Sequence, residues 1–171
     1  MTMKIREASI NDAPSIAKVT VDTWKTAYRG IISDEYLNNL SYEEREKGWR
    51  EFPFHNSFVY VAEDETKNII GFVAAGPERT SNPVYTGEIY AIYVYESHQN
   101  KGVGSSLLRS VMKRFEQLGV YSVLVWVLSD SSCRRFYELH HGHQLESKAL
   151  EISGFKNEVT AYGWLDIKEN F

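Results

Sequence analysis

A short glycine-containing loop between a strand and a helix constrains the fold of this chain more than any other segment. The loop is Gln99-Asn100-Lys101-Gly102-Val103-Gly104-Ser105 and is called the glycine loop below. A strand-like run, 88–94, precedes it, and an amphipathic stretch, 103–118, follows it. Glycines there let the backbone approach a ligand and turn its amide N–H groups outward, and the helix N-terminus adds partial positive charge. The segment therefore predicts a phosphate site at the start of a helix.

The spacing of the glycines argues against two common nucleotide-binding loops. A Walker loop needs Gly-x-x-x-x-Gly-Lys followed by Ser or Thr, and the sequence lacks it. The dinucleotide fingerprint Gly-x-Gly-x-x-Gly would need glycine at position 107, where Leu107 stands. The absence of both patterns disfavours a nucleotide-binding protein and leaves the pattern Gln-x-x-Gly-x-Gly. Taken alone, this pattern is also compatible with a simple helix-starting turn.

Strand-like and helix-like segments alternate along the rest of the chain. The length of 171 residues suits a single domain, 1–171, with a core of its own. The order of the segments predicts an α/β (or α+β) domain around a mixed sheet with flanking helices. Strands are predicted at 3–8, 58–62, 69–75, 88–94 and 121–128, with a final hairpin of 144–151 and 158–165 turning at Ser153-Gly154. Helices are predicted from the N-cap Asn11 to Gly30, after Ser33, from Ser41 to Trp49, at 103–118 and at 131–140.

Composition narrows the class of protein. A formal net charge of −4 argues against a general nucleic-acid binder, whose binding face is usually basic. The one cysteine, Cys133, excludes an internal disulfide framework and a Cys-rich zinc site. No apolar run approaches the roughly 20 residues that span a bilayer, and residues 1–8 lack the layout of a signal peptide. We expect a cytoplasmic protein whose partners are neither nucleic acid nor membrane.

The segments together resemble the GNAT family of acetyl-CoA-dependent N-acetyltransferases, of bacterial type. The pattern Gln-x-x-Gly-x-Gly resembles the family's pyrophosphate motif, and 88–94 (Glu-Ile-Tyr-Ala-Ile-Tyr-Val) looks like its cofactor strand. Residues 127–138 resemble its next strand end and helix, at the right spacing, and 24–32 look like acceptor-side helices of a bacterial subgroup. The resemblance covers nearly the whole chain. It implies the GNAT fold, with a mixed, mostly antiparallel sheet.

The activity that the resemblance implies is transfer of an acetyl group from acetyl-CoA to a primary amine, with coenzyme A as the product. The amine belongs to a small molecule or a peptide and attacks directly in a ternary complex. Family acceptors include aminoglycosides, polyamines, amino acids and protein termini, so the acceptor stays open, and so does the oligomeric state, for which the family allows a homodimer. The alternative is a non-catalytic acyl-CoA-binding or sensing domain of the same fold. The presence of both Tyr137 and Glu88 favours catalysis.

The resemblance also places the cofactor. The pantetheine arm pairs with exposed backbone of the cofactor strand at a bulge, and the Val94 amide is the expected oxyanion donor. Ser131 stands where the family usually has an Asn that bonds the arm, so a shorter hydroxyl or a water takes that contact or leaves it unmade. The implied cofactor-binding residues are Ile92, Tyr93, Val94, Gln99, Asn100, Lys101, Gly102, Val103, Gly104, Ser105, Ser131 and Tyr137.

The implied catalytic residues are Tyr137 and Glu88. Tyr137 matches the position that faces the coenzyme sulfur, where a phenol can protonate the departing thiolate, although a Tyr packed on the sheet is the simpler interpretation. Glu88 is the candidate base, acting through water, or it attracts a cationic amine, or it is only a solvated acid at the strand end. Trp24 and Tyr28 are core residues by default, and by resemblance they also wall the acceptor pocket. Tyr90 is a second candidate for lining that pocket, beneath a mobile loop at 78–86 that carries Arg79.

Two further signals are set aside. His140, His141 and His143 cluster in sequence, but they lack the spacing and the nearby acids of a zinc site, so no metal is predicted. Cys133 has no positioned histidine partner, which favours core packing over nucleophilic catalysis.

Overall fold

Seven strands form one mixed sheet in the structure, a computed structural model that describes residues 2–152 and 154–171. The strands are Lys4–Glu7 (β1), Phe58–Glu63 (β2), Ile69–Pro77 (β3), Gly87–Val94 (β4), Val123–Leu128 (β5), His143–Ile152 (β6) and Phe155–Trp164 (β7). Their order across the sheet is β1-β2-β3-β4-β5-β7-β6. All neighbours are antiparallel except β4 and β5, which are parallel. The predicted mixed, mostly antiparallel sheet is confirmed.

Helices cover both faces of this sheet. They are Ala13–Ala27 (α1), Asp34–Asn38 (α2), Tyr42–Arg50 (α3), Val103–Gln117 (α4) and Arg134–Leu139 (α5). The apolar stripe of α4 packs on one face, where Leu107, Val111 and Phe115 are buried. On the other face, Ile16 and Val19 of α1 pack against β2 and β3. Within the described residues, no helix is long and apolar enough to cross a membrane.

Hydrogen bonds of short polar side chains explain where helices begin. Ser33 and Ser41 accept the amide N–H groups of Tyr36 and Glu44 at 3.3 and 3.2 Å, as predicted helix caps do. The first helix begins at Ala13 rather than after Asn11 because a 3-10 turn, Ile10–Asp12, precedes it. The Asp12 carboxylate fixes that turn by accepting the Ser9 amide at 2.8 Å.

The remaining boundaries differ from the sequence prediction by a few residues. Helix α1 ends at Ala27, and Gly30 lies in the following turn with a φ of +87°. Strand β5 begins at Val123 and helix α5 at Arg134, both later than predicted. The predicted turn of the last hairpin includes Ser153, which lies outside the described residues.

Candidate functional site

Strands β4 and β5 separate halfway along β4, and we call the resulting opening the β4–β5 gap. The two strands pair only at Gly87–Ile89 with Val123–Val125. The register between β3 and β4 shifts there, because Ala75 pairs with Ile89 and Ala74 with Ala91, which leaves Tyr90 as the extra residue of a β-bulge. A bulge bends its strand. The second half of β4 therefore diverges from β5, as the resemblance implied.

Backbone groups of β4 face this gap. The Tyr95 amide donates to the Ile70 carbonyl of β3 at 3.0 Å. Because the ladder alternates along an antiparallel pair, Tyr93 also directs its backbone groups to β3, whereas Ile92 and Val94 direct theirs to the gap. The Val94 carbonyl accepts the Gln99 side-chain amide at 3.0 Å. The Val94 N–H therefore points into the gap, and its role as an oxyanion donor stays a prediction.

The glycine loop turns the chain from the end of β4 into α4. Asn100 and Gly102 have left-handed backbones, with φ angles of +59° and +85°, and Gly102 is the N-cap of α4. The first intrahelical bond runs from the Ser106 amide to the Gly102 carbonyl at 3.1 Å. The amides of the first turn have no acceptor inside the helix, so they form a site for an anion.

A cleft of about 520 Å³ connects the glycine loop to the gap. Several predicted cofactor residues line it, together with further residues of the α5 region. Its lining is Ile92, Val94, Gln99, Asn100, Gly102, Gly104, Ser105, Ser132, Cys133, Arg135, Phe136, Tyr137, Leu139 and His140. Cys133 is exposed, so the expectation that it packs in the core was wrong.

Four predicted cofactor residues direct their side chains elsewhere. The Lys101 ammonium donates to the Ser97 carbonyl at 3.1 Å, and the Val103 side chain is buried in the core. The Ser131 hydroxyl accepts the Cys133 amide at 3.1 Å and so caps the turn before α5. The Tyr93 hydroxyl, on the α1 face of the sheet, accepts a bond from Tyr28 at 3.4 Å. Any contact of these residues with the cofactor stays a prediction.

His140 lines the cleft, although the sequence pattern suggested only one role for it, that of a metal ligand. Its ring Nε2 lies 2.9 Å from the Ser105 hydroxyl, in the first turn of α4. Burial lowers the pKa of His140, so the neutral imidazole is favoured. In the described part of the chain, no group of three His, Cys, Asp or Glu side chains could hold a metal ion.

Tyr137 lies at the inner end of the cleft with only 4 % of its surface exposed. Its ring stacks on Tyr162, with centroids 6.2 Å apart. Burial raises the pKa of its phenol well above the usual value, and the nearby Cys133 and Tyr93 raise it further. The hydroxyl is therefore protonated at neutral pH, as a proton donor must be.

Glu88 lies at the start of the gap, but it is not the solvated acid that one interpretation allowed. Its carboxylate is 2 % exposed and forms an ion pair with Arg79, with Nη2 and Oε2 2.7 Å apart. The Arg79 guanidinium also lies over the Tyr90 ring, 4.2 Å from its centroid. The sequence placed Arg79 in the loop over the site but did not predict its pairing with Glu88, because a separation of nine residues matches no regular spacing.

Several aromatic rings cluster on the α1 face of the sheet. Trp24 and Tyr28 are in edge contact with centroids 5.0 Å apart, and both pack in one cluster with Tyr93 and Trp126. Lys148 of β6 lies over the Trp126 ring at 4.1 Å. The structure thus brings Trp24 and Tyr28 together with Tyr93 of β4, while Tyr90 lies under Arg79. The role of Trp24, Tyr28 and Tyr90 in holding an acceptor stays a prediction.

Comparison with known proteins identifies the family. The model of the acetyltransferase (GNAT) family matches residues 24–143, a range that contains the gap, the glycine loop and Tyr137. The chain belongs to the GNAT acetyltransferase family. It is therefore an acyltransferase, and its relatives are named as N-acetyltransferases.

Two relatives and one solved structure each match 85% or more of this GNAT chain. The N-acetyltransferase YuaI of Bacillus subtilis is 37% identical over 163 residues, 95% of this chain and 93% of the relative. A spermidine N(1)-acetyltransferase of Thermoplasma acidophilum is 24% identical over 85% of this chain and 91% of its own. The crystal structure of the PaiA N-acetyltransferase from Thermoplasma acidophilum in complex with coenzyme A has a TM-score of 0.72 at 19% identity, covering 96% of this chain and all of that one.

Proposed function

We propose that this GNAT enzyme transfers the acetyl group of acetyl-CoA to a primary amine of a small molecule or peptide by direct attack in a ternary complex. The observation that carries the proposal is the β4–β5 gap, where the backbone of Ile92 and Val94 faces the cleft that holds the buried, protonated Tyr137. A strand edge of this kind accepts an extended ligand as an added strand.

The cleft fits acetyl-CoA as a substrate. The first-turn amides of α4 would hold the pyrophosphate, and at Gly102 no atom lies within 4 Å of where a Cβ would stand, so a ligand can approach the backbone. Ile92 and Val94 would pair with the pantetheine arm. Arg135, on the rim of the cleft, adds a positive charge near the phosphates.

Glu88, Val94 and Tyr137 then each carry out one part of the acetyl transfer. Glu88 accepts a proton from the bound ammonium, whose ordinary pKa is near 10, and so frees the lone pair that attacks the thioester carbonyl. The Val94 N–H stabilises the charge that develops on the carbonyl oxygen. As the C–N bond forms and the C–S bond breaks, Tyr137 gives its proton to the sulfur and regains one from the nitrogen. The products are the amide, coenzyme A and one proton.

A turnover screen tests this function. Free-thiol release from acetyl-CoA is measured against polyamines, amino acids, aminoglycosides and peptides, and we expect at least one amine to give sustained release. With both substrates varied, a ternary complex gives intersecting double-reciprocal plots. Binding of acetyl-CoA without release for any amine would instead support the sensing domain.

Substitution of Tyr137 tests the proton donor. We expect Tyr137→Phe to lower kcat by roughly 10²-fold, because the thiolate loses its acid, while the Kd for acetyl-CoA measured by calorimetry stays the same. Tyr60→Phe is the matched control, since it removes a half-buried phenol from β2, outside the cleft lining. An unchanged kcat in Tyr137→Phe would remove the acid role.

A further inference from the structure

The ion pair of Arg79 with Glu88 joins a buried anion to an exposed cation. The Glu88 side chain is 2 % exposed, whereas that of Arg79 is 61 % exposed. The other arginine with a buried carboxylate partner, Arg6, is shared between Asp12 and Glu63 and ties β1 to its neighbours. Arg79 forms no second ion pair among the described residues, so its pairing is the more easily exchanged of the two.

While Arg79 is in place, the Glu88 carboxylate is occupied. Three N–H groups of Arg79 donate to it: the amide and Nε to Oε1 at 3.1 and 3.3 Å, and Nη2 to Oε2 at 2.7 Å. The guanidinium rests on the Tyr90 ring, which is a favourable surface for any cation. A base that must take a proton from an amine needs at least one of these oxygens free.

Arg79 therefore stands at the point where an acceptor amine would meet Glu88. Glu88 pairs with Leu124 of β5 inside the short stretch that joins the two strands, and the strands separate just beyond Ile89. The residue that forms the bulge is Tyr90, under the guanidinium. The anion and the aromatic face at this corner are both covered by one positive charge from the protein itself.

The segment that carries Arg79 lets this charge leave. It links β3 to β4, and its ends are joined by a bond from the Glu78 amide to the Thr86 carbonyl at 3.0 Å. The Arg79 side chain is mostly in solvent already, so rotation away from Glu88 exposes the ring of Tyr90 without opening the core. A long flexible side chain can make this change without any rearrangement of the sheet.

We propose that Arg79 is a specificity-determining residue that occupies the ammonium subsite and yields it only to a cationic acceptor. The proposal deepens the proposed function and rests on it for the site of attack. An ammonium group replaces the guanidinium on both the Glu88 carboxylate and the Tyr90 ring, then gives its proton to Glu88. A neutral acceptor leaves the buried carboxylate without a counter-charge, which costs free energy. The acceptors are therefore amines that bind as cations.

Calorimetry on the complex with coenzyme A tests this exchange without any acetyl transfer. The probe is spermidine, which carries several ammonium groups, titrated into the wild type, Arg79→Gln, Glu88→Gln and the double variant. We expect Arg79→Gln to bind spermidine roughly five- to tenfold more tightly, because a competitor for the subsite is gone. Glu88→Gln should bind it more weakly, and adding Arg79→Gln to Glu88→Gln should give no further gain.

Controls separate competition from other effects of the charge. Arg50→Gln removes one positive charge from α3, where Arg50 pairs with Glu46, and should leave spermidine affinity unchanged. Arg79→Lys keeps the charge and the fold but loses the bidentate pairing, so its affinity should lie between those of wild type and Arg79→Gln. Weaker or equal binding to both Arg79 variants, a gain that persists with Glu88→Gln, or no spermidine binding at all would overturn the proposal. Failure of the turnover screen alone would not.

Discussion

Two glycines flank α4 with nearly the same backbone, and only one of them faces the cleft. Gly102 and Gly119 have φ angles of +85° and +74°, and at neither does any atom lie within 4 Å of a Cβ. Any other residue in this conformation is strained by about 1 kcal/mol. The two positions therefore differ in their surroundings, since Gly102 lines the cleft and Gly119 lies at the far end of the helix.

We expect alanine at these two positions to separate stability from cofactor binding. Gly102→Ala and Gly119→Ala should each lower the free energy of unfolding by about 1 kcal/mol in urea denaturation, for the same backbone reason. Only Gly102→Ala should weaken acetyl-CoA binding, by about tenfold in calorimetry, because its methyl group would stand in the proposed pyrophosphate site. Equal affinities in the two variants would place the pyrophosphate elsewhere.

Single residues also show which features of the site could be predicted from the sequence and which could not. The glycine loop was predictable because its conformation demands its residue types, as the left-handed Gly102 illustrates. The exposure of the Cys133 thiol and the capping role of Ser131 were not predictable. They depend on one hydrogen bond, from the Cys133 amide to the Ser131 hydroxyl, which fixes the turn before α5 and exposes the thiol. The pairing of Arg79 with Glu88 depends on how a loop folds back over β4, for which a single sequence offers no periodic pattern.

At the scale of elements, β4 determines the site through one inserted residue. A regular strand would put Ile89 and Ala91 on one face, but the bulge at Tyr90 places Ile89, Ile92 and Val94 toward α4 instead. The sequence predicted this strand to within one residue. The bulge was implied only by resemblance, because an extra residue in an alternating apolar run changes neither composition nor length noticeably.

Amide hydrogen exchange tests the alternation along β4. Coenzyme A should slow exchange at the Ile92 and Val94 amides, because the pantetheine arm pairs with groups that have no partner strand there. The Tyr93 amide, already in the β3 ladder, should change much less and serves as the internal control. Protection confined to Tyr93, or equal at all three residues, would contradict an added strand.

At the scale of the whole molecule, two halves of the sheet meet along a narrow seam. Strands β1–β4 and β5–β7 are joined only where Gly87–Ile89 pairs with Val123–Val125. Each half has a titratable group whose pKa is lowered. In the first, the hydrogen bond from Arg6 lowers the pKa of Asp12. In the second, burial lowers the pKa of His140, next to the cleft. The two groups should therefore lower the free energy of unfolding in different pH ranges.

The free energy of unfolding should fall in two steps as the pH is lowered. The unfolded chain protonates His140 near pH 6.5, above its folded pKa, so stability from this group is complete above about pH 6.5 and is lost below it. Asp12 acts in the same direction but nearer pH 4, where the unfolded carboxyl takes up its proton first. Urea denaturation from pH 8 down to about pH 2 measures both steps. His140→Phe should remove the upper step, because phenylalanine fits beside Phe136 and Phe171 without titrating. His55→Phe, at an exposed position, should keep it, and an upper step that survives in His140→Phe would assign it to another group.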